Sequence, residues 1–324
     1  MPVVVNSNAT ATASSFNLSR ANDALRKSLE RLSTGKRINS AADDAGGLSV
    51  AYKLNSKMTR TSSIIQNSQN ALSYLQVQDS SLSAAGKIVD RMAELRTMAQ
   101  DITKNTGDIE NYSKEFIELQ SQLNQISKEK FNGISLFGSS NATAVSGGVL
   151  NTGTASFGSL QYNTLSRTLT THDSGSTDSG SVSINVINFN FMLSIGALAN
   201  NGAAGKVNYN LGNIIENNGT SDGVNSSGYI DDIKNVSVSQ FIDIISRIAD
   251  MRAENGAEQN RVMQRIDLLQ SNLTNIEAAH GRIMDADIAL ESTRFARHNI
   301  LVQASASMTA QANQLSNVAL SLIG

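Results

Sequence analysis

Apolar residues recur at alternating intervals of four and three near both ends of this chain, and no proline follows Pro2 to interrupt them. In the C-terminal arm Val262, Ile266, Leu269, Leu273, Ile276, His280 and Ile283 form one series, and Leu301, Ser305, Met308, Ala312, Leu315, Ala319 and Leu322 form a second. In the N-terminal arm Leu18, Leu25, Leu29 and Leu32 fall on one helical stripe. A further helix carries Ile65, Leu72, Leu75, Leu82 and Val89, then Ile88, Met92, Leu95, Ala99 and Ile102 after one change of phase. Each stripe is narrow and flanked by polar residues, so these helices can bury their apolar face only against partners. Aromatic residues are 5% of the 324, with no Trp, which leaves the cores to aliphatic side chains.

Local signals punctuate the arms. Gly35 after Ser33-Thr34 suits a left-handed helix C-terminus. Ser40 followed three residues later by Asp43 predicts a second helix starting near Ser40, with Asp43 and Asp44 in its first turn where the dipole favours negative charge. Asn105-Thr106-Gly107-Asp108 reads as a turn, residues 112–130 as a helix with Phe116, Leu119, Leu123 and Ile126 on its apolar face, and Phe131-Asn132-Gly133 as its end. From about residue 138 to 232 the composition shifts to Gly, Ser, Asn and Thr. Within that stretch residues 182–195 alternate as a strand, with Asn188 marking a bulge or a turn, so a small β-rich insertion is expected between two helical arms.

Several chemistries are excluded. With no cysteine there are no disulfides, thiolate metal sites or cysteine nucleophiles. A net charge of -2 gives no attraction for nucleic acid, and no run approaches the roughly 20 apolar residues of a membrane-spanning helix. The first residues, Met1-Pro2-Val3-Val4-Val5-Asn6, have neither the basic nor the apolar part of a signal peptide, so any export is expected to use another route. His280 and His298 are roughly 27 Å apart along a helix and cannot share a metal; His280 reads as a register-fixing residue on the seam and His172 as a solvated loop residue. Asp285, Asp287 and Glu291 do not make a calcium loop, because Ile288, Ala289 and Leu290 stand where such a loop needs oxygen ligands and glycine. No catalytic set, metal site or cofactor is expected.

The signatures at the two ends resemble a known family. Leu29-Glu30-Arg31-Leu32-Ser33-Thr34-Gly35-Lys36-Arg37-Ile38-Asn39-Ser40-Ala41-Ala42-Asp43-Asp44-Ala45-Gly46-Gly47-Leu48 resembles the N-terminal signature of bacterial flagellins. Asn272-Leu273-Thr274-Asn275-Ile276, Arg282-Ile283-Met284-Asp285-Ala286-Asp287, Asn299-Ile300-Leu301, Ala310-Gln311-Ala312-Asn313 and Leu320-Ser321-Leu322 resemble the C-terminal one in the right order, and Phe131-Asn132-Gly133 also matches. Two departures stand out: the segment 123–131 is about four residues shorter than is usual for the family, and Gln314-Leu315-Ser316-Asn317 replaces a common Pro or Gln pair.

The resemblance implies a mainly α fold in which the arms pair as an inner coiled coil (residues 1–39 and 285–324) and a helical bundle (40–138 and 233–284), with a variable outer domain (139–232). It implies a structural subunit of the flagellar filament that assembles with itself, with Leu18, Leu25, Leu29, Leu32, Leu301, Met308, Leu315 and Leu322 as assembly residues. A hook–filament junction protein of the same terminal plan is the alternative. The expected partners are further copies of the chain, the flagellar export apparatus and a secretion chaperone, and the hook-associated junction and cap proteins; the location is the extracellular filament. The family is also recognised by a vertebrate Toll-like receptor, and Arg91 and Leu95 at a spacing of four, with Glu118 on the next helix, match its contact residues.

Overall fold

The computed structural model describes residues 8–138, 151–157, 160–172, 180–196, 209–212 and 228–323. The chain forms two compact units, Met1–Arg60 with Asn272–Gly324, and Thr61–Ser271. The fold is mainly helical, with strands confined to the middle of the chain. The first unit holds the segments expected to form the inner coiled coil, together with residues 40–60 and 272–284.

In the first unit helix α1 (Ala9–Thr34) pairs with helix α6 (Ile288–Ile323). The pairing is antiparallel: Asn8 Nδ2 donates to the Ala312 carbonyl at 2.8 Å, and at the opposite end Arg31 lies 3.9 Å from Glu291. Helix α1 ends at Gly35 in the left-handed conformation (φ 69), where its N–H reaches the Arg31 carbonyl. The following segment crosses to the junction between α5 (Val238–Met284) and α6: Arg37 N–H donates to Met284 O, the Arg37 guanidinium to Ile283 O, and Ala286 N–H to Gly35 O. Ile38, Ala51 and Met284 form a small buried cluster there, with Leu48 and Ile283 against it.

Helix α2 (Ala45–Met98) starts five residues later than the capping signal at Ser40 suggests. Asp44 is the capping residue, its Oδ1 accepting from Gly47 N–H at 2.8 Å. Asp43 instead folds back on the preceding turn, accepting from the Asn39 and Ser40 N–H groups and pairing with Lys27. The Lys27 ammonium and these two donors hold the Asp43 carboxyl down at about 2.

In the second unit the buried stripe of α2 includes Leu75, Leu82, Ala85, Val89, Met92 and Leu95. Helix α3 (Thr106–Ser127) begins at a full capping box, Asn105 with Asp108, so the expected turn at 105–108 is the helix start itself. Phe116, Leu123 and Ile126 of α3 are buried as spaced, as are Val262, Ile266 and Leu269 of α5. Ile102 is not: α2 ends at Met98, Asp101 turns the chain by accepting from Thr103, and Ile102 is 99% exposed.

After α3 a hairpin of β1 (Lys130–Phe131) and β2 (Ile134–Ser135) turns through Asn132 and Gly133, both with positive φ. A four-stranded sheet follows in the order β3-β6-β5-β4, where β3 is Phe137–Gly138, β4 Asn151–Phe157, β5 Leu160–Thr170 and β6 Ser181–Asn188. The β3–β6 pair is parallel and the others antiparallel. The expected long strand 182–195 is cut at Asn188, whose side chain caps a single helical turn, α4 (Phe189–Met192), before β7 (Ser194–Gly196) pairs with β8 (Tyr209–Asn210). Arg247 of α5, 5% exposed, fastens this turn by donating to Phe191 O, Ser194 Oγ and Ser194 O.

Candidate functional site: the outward faces of the terminal helices

The seam between α1 and α6 is built largely from small and polar side chains. On α1 the sheltered positions are Ala11, Ser14, Leu18, Ala21, Leu25, Ser28 and Leu32, spaced by three and four. On α6 they are Glu291, Phe295, His298, Val302, Ser305, Thr309 and Ala312 in the same rhythm. Glu291 is 4% exposed; burial pushes its carboxyl up, but the Ser28 hydroxyl with Arg294 and Arg31 holds it below its ordinary value.

Several large apolar side chains are left outside that seam. Phe16 is 66% exposed, Leu29 55%, Ile300 66%, Leu301 46% and Met308 60%. Of the expected assembly residues, Leu18, Leu25 and Leu32 therefore sit between α1 and α6 of one chain, while Leu29, Leu301 and Met308 face away from the pair. The side chains of Leu315 and Leu322 lie outside the described residues. Leu301 and Met308 are seven apart and share one helix face, so this part of α6 turns Ser305, Thr309 and Ala312 toward α1 and Leu301 and Met308 outward. Phe16 of α1 and Ile300 of α6 are exposed as well, and the sequence series missed them because neither falls on the four-three repeat.

A second candidate set is divided by the fold. Leu95 is fully buried, as its place in the apolar series requires, because the α2 stripe at Val89, Met92 and Leu95 faces the core; it is therefore not a surface contact beside Arg91. Arg91 lies at the surface, bonded to Glu115 of α3 at 2.8 Å and to Glu94 at 2.7 Å, which raise its pKa. Glu118 is exposed. His280 is half-buried and lines a cleft with Ile38, Tyr52 and Met284. Among the described residues no group of three His, Asp or Glu side chains could hold a metal ion, and no helix is long and apolar enough to cross a membrane.

The family model for the bacterial flagellin N-terminal helical region matches residues 5–142, and that for the C-terminal helical region matches residues 240–323. This chain belongs to the flagellin family. The matched regions contain all of α1, α2, α3 and α6, hence Leu29 and the outward stripe of α6. Over its whole length this flagellin is 28% identical to the whole of polar flagellin F of Vibrio parahaemolyticus. It is 29% identical to the flagellin of Bacillus subtilis, with 96% of each chain covered. A solved structure of a Vibrio parahaemolyticus protein assigned as flagellar hook-associated superposes with a TM-score of 0.52 over 75% of this chain and all of the other, at 13% identity, which is a likeness of fold. This flagellin is a filament subunit, and the junction-protein alternative is not favoured.

Proposed function

We propose that this flagellin polymerises through the outward stripes of its terminal helices, so that Leu29, Leu301 and Met308 become buried between subunits, joined by Leu315 and Leu322 further along α6. The observation that carries this reading is the splitting of one series on α6: Ser305 and Ala312, with Thr309, turn into the seam inside the chain, while Leu301 and Met308 stay in water. Residues 1–39 and 285–324 form the inner layer of the filament, 40–138 and 233–284 the bundle layer around it, and 139–232 the outer part. Its work is mechanical rather than catalytic. The subunit leaves the cell through the flagellar export apparatus with a secretion chaperone, adds beneath the cap proteins, and joins the hook through the junction proteins. Purified protein seeded with filament fragments is expected to extend them in negative-stain microscopy; seeds that never lengthen would overturn the reading.

Arg91 and Glu118, without Leu95, form the surface offered to the Toll-like flagellin receptor. Both side chains lie at the surface, and a guanidinium can donate several hydrogen bonds at once. Monomeric Arg91→Ala is expected to lose about tenfold or more in a receptor-reporter assay, the scale of an interface anchor, with thermal stability unchanged. Equal signals from variant and wild type would remove Arg91 as a contact.

A further inference from the structure

Strand β6 carries a bare edge that a helix covers with side chains. On one side β6 pairs with β5 from Leu165↔Val186 to Thr170↔Ser181, but on the other β3 reaches it only at Phe137↔Ile187 and Gly138↔Asn188. Among the described residues, backbone groups of β6 before Val186 have no strand on the β3 side, and an edge of that kind must be satisfied or shielded. Side chains of α5 and α2 do so. Asn185 N–H donates to both carboxyl oxygens of Glu258 at 3.1 Å, the Asn185 side-chain amide donates to Glu254, and Gln78 of α2 donates to the Asn185 carbonyl at 3.4 Å. Arg261 donates to Ser183 O of β6, and beyond that edge Arg265 donates to Thr171 O, just past the end of β5, at 3.0 Å. Positions 254, 258, 261 and 265 are four, three and four apart and so lie on one face of α5.

We propose that Glu258 is a proton-operated latch in this row: protonation closes α5 onto the open edge of β6, and ionisation loosens it. The geometry sets the direction. Glu258 is 7% exposed, so its charged form has lost most of its hydration. Its nearest cation, Arg261, stands 3.9 Å away with a half-exposed side chain that also serves Ser183. Glu254 adds a second negative charge one turn away on α5. From α2 the facing titratable group is Tyr74, which burial holds neutral to higher pH than usual, and Arg167 of β5 acts on that tyrosine; Asn185 of β6 is uncharged. Burial pushes the Glu258 carboxyl up to about 7, with Glu254 adding to the shift and the Asn185 N–H and Arg261 opposing it.

An opened latch returns the carboxyl to its ordinary value of 4.5. Between 4.5 and about 7 the closed state keeps a proton that the open state has lost, so each unit rise in pH raises the open-to-closed ratio by up to about tenfold, and the effect levels off above about 7.

Two measurements on the full chain as monomer test this. A carbon-13 NMR titration of the Glu258 carboxyl should show a midpoint near 7, and a midpoint in the ordinary carboxylate range would overturn the latch. Glu258→Gln keeps an acceptor for Asn185 and removes the titration. Protection of the Asn185 amide, corrected for intrinsic exchange, should fall with rising pH between 5 and 7 in the wild type by up to about tenfold per unit and stay flat in the variant. Equal slopes would overturn the proposal. Should the variant fail to fold, the titration of the wild type decides alone.

Discussion

Leu29→Asp and Met308→Asp, each made singly in the full chain, are expected to leave the monomer folded and to abolish filament growth. Both side chains are more than half exposed, so a carboxylate at either position stays hydrated in the free subunit. Burial between subunits reverses that. The lost apolar contact removes about 1.5–3 kcal/mol, and desolvating an unpaired carboxylate adds several kcal/mol more. A combined cost of about 4 kcal/mol or more raises the concentration needed for polymerisation by on the order of a thousandfold, because every added subunit carries it. Far-UV circular dichroism would report the fold, and sedimentation after seeding would report assembly. Filaments at wild-type concentration from either variant would place that residue outside the subunit interface. Leu25→Asp makes a useful contrast, since Leu25 lies in the α1–α6 seam and its substitution should disturb the monomer as well.

The largest effect on stability is expected from Phe116→Ala. Phe116 is fully buried and meets Phe241 of α5 edge-on, with ring centroids 6.2 Å apart and planes at 86°. That contact ties α3 to the start of α5 across a sequence separation of 125 residues, in a protein with few aromatic rings to share the task. Truncating a buried Phe costs about 3–5 kcal/mol, part of it the aromatic pairing itself. At about 2–4 °C per kcal/mol for a domain of this size, the melting temperature of the second unit should fall by roughly 6–20 °C. Ile102→Ala, on the fully exposed residue that the sequence repeat had placed in the seam, should change stability by less than about 0.5 kcal/mol. A loss below about 1 kcal/mol for Phe116→Ala would show that this ring pair does not hold α3 in place.

The helical seams were legible because burial on one face of a helix forces a period that sequence carries openly. Val262, Ile266 and Leu269, and likewise Leu75, Leu82 and Val89, are buried as their spacing requires. The helix starts were harder to read, because a capping motif is a few polar residues that can be satisfied in more than one way. At 40–44 the first carboxylate, Asp43, is consumed by the preceding turn and Lys27, and Asp44 is left to cap the helix. The stretch 182–195 was legible in part: its two alternating phases are β6 and β7, and the turn expected at Asn188 is there, because the Asn188 side chain offers Phe191 N–H a partner that ends the strand.

By itself the sequence determined the arms, their helical character, the position of the insertion and the family, since each rests on local period or contiguous signature. Which of two adjacent stripes on α6 meets α1 was decided only by the tertiary structure. Period alone puts Leu301, Ser305, Met308 and Ala312 in one series, yet the pairing turns Ser305 and Ala312, with Thr309, toward α1 and leaves Leu301 and Met308 outside. The same limit hid the Glu258 row: it joins α5 to a strand more than 70 residues away, and no repeat along the chain encodes a contact that exists only once helix and sheet edge lie side by side.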